Sequence, residues 1–321
     1  MRPILTKVDI EQVKQAEAEF FDDLANFRTH NKNIIAQEVD IQRATKYIPK
    51  KNEKATFLID PKMSDKLAGG ARDRYIKELS SKPGARILDI GCGSGWLALE
   101  LARNGCHVDA YDLSPKAIAL AKKTLKENPY KDGFGSVTYH LQDVSVIDLG
   151  IEKYDAVSGW SSFHHMPDVP EFMEKVHKAL KPGGKVASMD DMPRGWLEPW
   201  LQYFFEFILP TYSMTYYQKI KFVFNLFTRR SKLRKEIFSP MEEAKHSNVF
   251  EIADAFGDKF ETIYCIQKNA FAGTPVMRII GPDWLRYSLA SIVIGIDRLL
   301  CGLRLVKGFE RVMIARKRDG S

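Results

Sequence analysis

The sequence predicts an α/β protein: a doubly wound, mostly parallel sheet of seven strands, with helices at the N-terminus and a helical cap. Between residues 85 and 191, short apolar runs alternate with stretches of helical period, the pattern of parallel strands covered by helices. The first run ends in a glycine-rich turn, and ligands of such sheets bind at the C-terminal ends of the strands. Two further β-rich runs, KFETIYCIQ and FERVMIARK, lie near the end of the chain.

Taken in order, the chain first offers IEQVKQAEAEFFDDLANF. Here Val13, Ala16, Phe20, Leu24 and Phe27 recur at three- and four-residue intervals and predict a helix that turns this face inward, as a lid or a packed extension. ARDRYIKEL continues as helix into the first strand. The strands of the core are ARILDIG, CHVDAYD, SVTYHLQD, YDAVSGW and GKVASMD. Between them, GWLALELARNG stops at Gly105, and SPKAIALAKKTLKEN opens with Ser114 as N-cap and Pro115 at the first helical position. VPEFMEKVHKALKPGG repeats the scheme. After Asp191 the alternation stops. Residues 196 to 235 read as two aromatic-rich helices broken at Pro210, and Ser239 and Pro240 cap another. PDWLRYSLASIVIGIDRLLCGLRL is long and apolar, but Arg286, Asp297 and Arg298 interrupt it, so a buried or interfacial helix is expected rather than a membrane span.

With 45% hydrophobic and 28% charged residues over 321 positions, the composition excludes disordered and fibrous classes. The start, MRPILTKVDIEQVKQAEAEF, lacks the apolar core of a secretory signal, so a cytoplasmic or membrane-peripheral location is expected. Cys92, Cys106, Cys265 and Cys301 are widely spaced and form no CxxC pair, which argues against redox chemistry and a metal site. The net charge of +7 is concentrated: residues 216–236 hold seven Lys or Arg against one Glu.

The stretch LDIGCGSGW, residues 88–96, raises the central question. Glycine permits positive φ and close backbone approach, and the helix that follows presents unpaired amides to a ligand. A dinucleotide fingerprint would need its third glycine one position later, where Trp96 stands. The spacing of Asp89, Gly91, Gly93 and Gly95 instead resembles the D-x-G-x-G-x-G loop of class I S-adenosylmethionine-dependent methyltransferases. Asp112 in YDLSP, Asp143 in HLQDV, the segment YDAVSGWSSFHHMPD and the turn LKPGG follow in that family's order. The resemblance covers residues 70–192 and implies a seven-stranded Rossmann-like methyltransferase sheet that binds S-adenosyl-L-methionine. It implies cofactor contacts from the glycine loop with Cys92, from Asp112 and Leu113 at the ribose, from Asp143 and Val144 at the adenine, and from Gly159 and Trp160. Cys92 is expected to pack beneath the turn rather than react.

For an oxygen acceptor, a base must take the proton, and His164 or His165, just past the fourth strand, are the candidates, with loop-orienting roles as the alternative. Asp190 and Asp191 are expected at the substrate or as helix caps. WLEPWLQYFFEFILPTYSMTYY, with Trp196, Trp200 and Tyr216, is the expected acceptor wall or a self-packed cap. The domain reading is 1–69 as helical extension or lid, 70–192 as cofactor-binding core, 193–258 as cap and acceptor site, and 259–321 as terminal strands around an apolar helix. The expected function is O-methylation of a small-molecule, glycan or lipid-linked acceptor. The basic, aromatic residues 216–236 would suit an anionic membrane surface. A nucleic-acid partner is not expected, since no RNA-binding module is recognisable. The rival readings are an RNA methyltransferase and a noncatalytic binding module of the same fold.

Overall fold

The computed structural model describes residues 7–30, 60–212, 215–227, 239–241 and 255–318. Helix α1 (Lys7–His30) stands first; a short helical turn (Pro61–Ser64) and a π-helical stretch (Asp65–Gly69) lead into α2 (Gly70–Leu79). The core then runs β1 (Arg86–Ile90), α3 (Trp96–Arg103), β2 (His107–Asp112), α4 (Pro115–Glu127), β3 (Ser136–Leu141), β4 (Tyr154–Trp160), α5 (Val169–Ala179) and β5 (Leu180–Asp191). Beyond it come α6 (Leu197–Ile208), α7 (Tyr216–Phe227), β6 (Phe260–Lys268), α8 (Gly273–Met277), α9 (Asp283–Gly302) and β7 (Glu310–Lys317).

All seven strands join one sheet in the order β3-β2-β1-β4-β5-β7-β6. The first five pair in parallel, and β7 inserts antiparallel between β5 and β6. Strand order reverses at β1 and β4, so the ends of these strands open the crevice in which doubly wound folds bind ligands. The Ser114 cap forms as the sequence implies, its Oγ accepting from the Ala117 amide at 3.0 Å, and Asp168 Oδ1 likewise accepts from the Glu171 amide at 2.9 Å. One detail differs. LKPGG is not a turn before the fifth strand but its start: β5 begins at Leu180, and a register shift opposite Tyr154 and Ala156 absorbs Gly183 at φ +67°.

Alternate residues of β1 serve the two faces of the sheet. Ile87 packs with Tyr75, Leu79, Leu97 and Leu101 on the side of α2 and α3, whereas Leu88 and Ile90 pack with Phe172, Met173 and Val176 of α5. Tyr75, fully buried, ties α2 to the sheet by donating its hydroxyl to the Ala187 carbonyl at 2.8 Å and accepting from the Gly159 amide at 3.2 Å.

A third cluster lies beyond the sheet, where Phe205 and Leu209 meet Phe271, Val276, Val293 and Ile294. The charges that interrupt α9 are its anchors. Arg286, 1% exposed, donates to the Ile279 carbonyl and to Asp60 Oδ2, each at 2.9 Å. Asp297 Oδ2 accepts from the amides of Phe271 and Ala272, both at 2.9 Å. Buried charges persist only when so paired, and among the described residues no helix is long and apolar enough to cross a membrane.

The hydrophobic pattern of α1 points the wrong way. Val13, Ala16 and Phe20 are only half-buried, and the side chains of Leu24 and Phe27 lie outside the described residues. The inward stripe is Lys14, Glu17, Phe21 and Ala25, which also recurs at three- and four-residue spacing and buries two charges. These charges have partners in the cleft, and apolar periodicity does not register such burial. The helix capped by Ser239 and Pro240 lies largely outside the described residues.

Candidate functional site

β1 delivers the chain into the glycine loop. At Gly95, φ is +82° and an added Cβ would sit 2.4 Å from the Tyr139 hydroxyl and 2.7 Å from Ala121, so both conformation and packing demand glycine. Gly93 differs: φ is +53°, yet a Cβ would meet nothing within 4 Å, because the residue borders open space. One glycine is needed by the fold, and the other leaves a bare wall to a cleft.

Asp112, at the end of β2, fixes that wall. Its Oδ2 accepts from the Gly93 amide at 2.7 Å and its Oδ1 from the Ser114 amide at 2.8 Å. The carboxylate thereby sets both the loop and the start of α4. Asp89 lies beneath, 1% exposed, with Oδ2 buried and unpartnered among the described residues. Burial lifts its carboxyl to about 7, with added repulsion from Asp112, against a hydrogen bond from Ser158. Burial also drives the Cys92 thiol well above its usual range, so Cys92 is packed and unreactive, as expected.

The cleft encloses about 560 Å³, within the range of small-molecule sites. It brings together Gly91, Cys92, Gly93, Asp112, Leu113, Asp143, Val144, Trp160 and His165 of the residues expected there. Asp89, Gly95 and Gly159 support it from below. Gly159 has no room for a Cβ, which would lie 2.7 Å from the Phe163 ring. The indole of Trp160 meets Trp96 edge-on at 5.1 Å, forming an aromatic wall.

The roof is α1, for which the sequence offered a lid or a packed extension but not the residues that face the cleft. Lys14 Nζ lies 2.6 Å from Asp143 Oδ2. Burial alone would raise the Asp143 carboxyl, but Lys14 and Ser145 hold it below the usual range. Asp22 Oδ1 accepts from the Ser114 hydroxyl at 2.6 Å and the Lys116 amide at 3.1 Å, docking α1 on the start of α4. Glu17 Oε1 lies 2.6 Å from His165 Nδ1, and its Oε2 accepts from the Met241 amide at 2.9 Å. Against burial, these contacts keep the Glu17 carboxyl below its usual range. Phe21 meets the His165 ring edge-on at 5.5 Å.

The two histidines have different places. His165 lines the cleft, whereas His164 is buried beside it, with Nδ1 2.7 Å from Asp190 Oδ1. Asp190 is thus spent on a histidine beneath the cleft, away from the expected substrate position, and Asp191 sits in the β5–β7 ladder opposite Glu310. Trp196, Trp200 and Tyr216 are 80%, 55% and 57% exposed and line neither of the two cavities described here. The reason is the phase of α6. Leu197, Leu201, Phe205 and Leu209 form its buried stripe, which turns Trp196, Trp200 and Phe204 outward.

A crevice at the reversal of strand order, floored by a bare glycine loop and flanked by a carboxylate at the end of β2, defines a nucleoside-cofactor fold of the methyltransferase type. The chain belongs to the methyltransferase domain family, whose pattern it matches over residues 63–231. It is 36% identical over 115 residues to the ubiquinone biosynthesis O-methyltransferase of Xylella fastidiosa (strain M23), covering 35% of this chain and 44% of that protein. The protein of the same description from Coxiella burnetii (strain Dugway 5J108-111) is 28% identical over 120 residues, covering 37% and 49%. The match thus spans about half the length of these curated relatives. Among solved structures, Haemonchus contortus phosphoethanolamine N-methyltransferase 2 in complex with S-adenosyl-L-methionine is similar, with a TM-score of 0.45 and 20% identity, covering 78% of this chain and 53% of that one.

S-adenosylmethionine is the cofactor, and the residues present fit it. The open face at Gly93 admits close backbone approach, and beneath it the buried Asp89 leaves an oxygen unpartnered among the described residues.

Proposed function

We propose that this chain methylates an oxygen of a small-molecule acceptor, with S-adenosylmethionine as donor. The observation that carries this reading is the meeting, in one cleft, of the glycine loop pinned by Asp112 and a histidine, His165, held by a buried carboxylate. Gly93 and Asp112 would hold the amino-acid and ribose parts of the donor, and Asp143 and Val144 the adenine. When bound, the donor supplies an electrophilic methyl group. His165 Nε2 takes the proton from the acceptor oxygen while Glu17 holds Nδ1 and favours the charged imidazolium that results. Phe21 and Trp160 exclude water from the reacting oxygen. His164, with Asp190, sits behind and sets the loop. The Xylella relative, a ubiquinone biosynthesis O-methyltransferase, supports an oxygen acceptor, and residues 193–258 are the segment we assign to the acceptor side.

Titration calorimetry with S-adenosylmethionine, followed by transfer of labelled methyl groups to cell extracts, tests this reading. Heat of binding and a labelled, base-labile or ether-type product are expected; absence of heat would sink it.

A peripheral membrane contact is a second reading, supported by a specific observation. Trp196, Trp200, Phe204 and Phe207 make an exposed stripe on α6, and Trp284, Ile292, Ile296, Leu299 and Leu303 make another on α9. Flotation with anionic vesicles is expected to carry the protein, and to fail when Trp196 and Trp200 are changed to Ser. Equal flotation of both proteins would remove the idea.

A further inference from the structure

A second cavity of about 350 Å³ adjoins the cleft, and Ser64, Ala68 and Met277 line both. Its charges are unevenly matched. Glu310 accepts from Asn269 at 2.9 Å and from Lys268, and Arg278 donates to Glu206 at 2.5 Å, so these carboxylates already have cations. Arg194 also lines the cavity. It stacks on Phe309 at 4.5 Å and gives one Nη to Gln202 at 2.7 Å, with no carboxylate partner among the described residues. Its Nε is buried and without a hydrogen-bond partner there. A buried donor left unmet is costly, so bracing Phe309 alone does not account for this guanidinium.

We infer that this cavity is an anion subsite, in which Arg194 receives a carboxylate or phosphate group of the methyl acceptor. The inference rests on the methyltransferase reading for the word acceptor, and on the cavity alone for the anion. A guanidinium edge presents parallel N–H donors that match two oxygens of either group. Phe271 and Phe309 also line this cavity, and Met277 joins it to the cleft that His165 lines.

The experiment uses the full chain with ¹³C-methyl methionine, and the Met277 resonance assigned from a Met277→Leu sample. Benzoate, phenyl phosphate and neutral benzamide are titrated in turn. Benzoate or phenyl phosphate should move the Met277 signal saturably, and benzamide should not; which anion moves it identifies a carboxylate or a phosphate ester. Arg194→Gln should weaken that binding roughly 10- to 100-fold, and Arg194→Lys should restore part of it. Equal response to benzamide, no response to either anion, or unchanged affinity in Arg194→Gln overturns the inference. Calorimetry with S-adenosylmethionine on the same samples separates the two readings. Arg194→Gln should bind the cofactor as wild type does, whereas a wild type that binds benzoate but not cofactor would refute the methyltransferase reading alone.

Discussion

Replacing Asp112 by Asn keeps the shape of the side chain and removes its charge. In the structure the two carboxylate oxygens each accept a backbone N–H, from Gly93 at 2.7 Å and Ser114 at 2.8 Å. An amide can present an oxygen to one of these and must turn its NH₂ toward the other, so one loop contact becomes a donor facing a donor. A carboxylate can accept about four hydrogen bonds, enough for both amides and a ribose diol. The variant loses at least one charge-assisted bond to the ligand and loosens the loop, at about 1.5–3 kcal/mol for each bond to a charged group. Together this is about 3 kcal/mol or more, or roughly a 150-fold rise in Kd for S-adenosylmethionine. Titration calorimetry measures it directly, with Asp148→Asn as a control, since Asp148 caps the remote Gly150 amide. A change of less than tenfold in Asp112→Asn would refute the assigned role.

Further outcomes follow from the same geometry. Glu17→Gln should slow single-turnover methyl transfer about 10- to 150-fold with little change in cofactor affinity, because a charge-assisted contact of about 1.5–3 kcal/mol is lost at His165; wild-type turnover in this variant would exclude the pair from the chemistry. Gly95→Ala should lower the melting temperature sharply, since its Cβ overlaps Tyr139 and Ala121 at φ +82°. Gly93→Ala should cost only about 1–2 kcal/mol of left-handed strain but should impair cofactor binding; the reverse ranking in thermal melts would contradict the structure. Asp155 is held down to about 2: burial opposes this, but Lys181, Lys82 and the Arg86 amide prevail. With the folded pKa below the unfolded 3.8, its stabilisation is complete above about pH 4 and fades as pH falls toward 2. Asp155→Asn should therefore cost about 1–2 kcal/mol at neutral pH, after allowance for screening, and only a small part of that near pH 2; an equal loss at both pH values would refute the linkage.

What the sequence disclosed depended on which force each residue answers to. The glycine loop and Asp112 were legible because a strand that turns sharply under a ligand restricts residue type at fixed spacing. The apolar runs of β1, β4 and β5 were legible because burial on both faces leaves little freedom. The roof was not. Lys14 and Glu17 are buried by partners at Asp143 and His165, more than a hundred positions away, and local periodicity favoured Val13, Ala16 and Phe20 instead. On α6 both the exposed and the buried stripes are apolar, so the pattern gave a helix without its phase. Arg194 carried no local signal, since its meaning lies in the carboxylate it lacks.

Helix α1 touches Asp143 at one end of the cleft and His165 at the other. Were donor and acceptor confined beneath it, neither could exchange until those ion pairs separated. Opening would then be a step in every catalytic cycle, taken against salt-sensitive contacts rather than against covalent chemistry. Turnover limited by this step would rise with ionic strength, fall with solvent viscosity, and be indifferent to how nucleophilic the acceptor is. The earliest helix in the chain would then act as its clock.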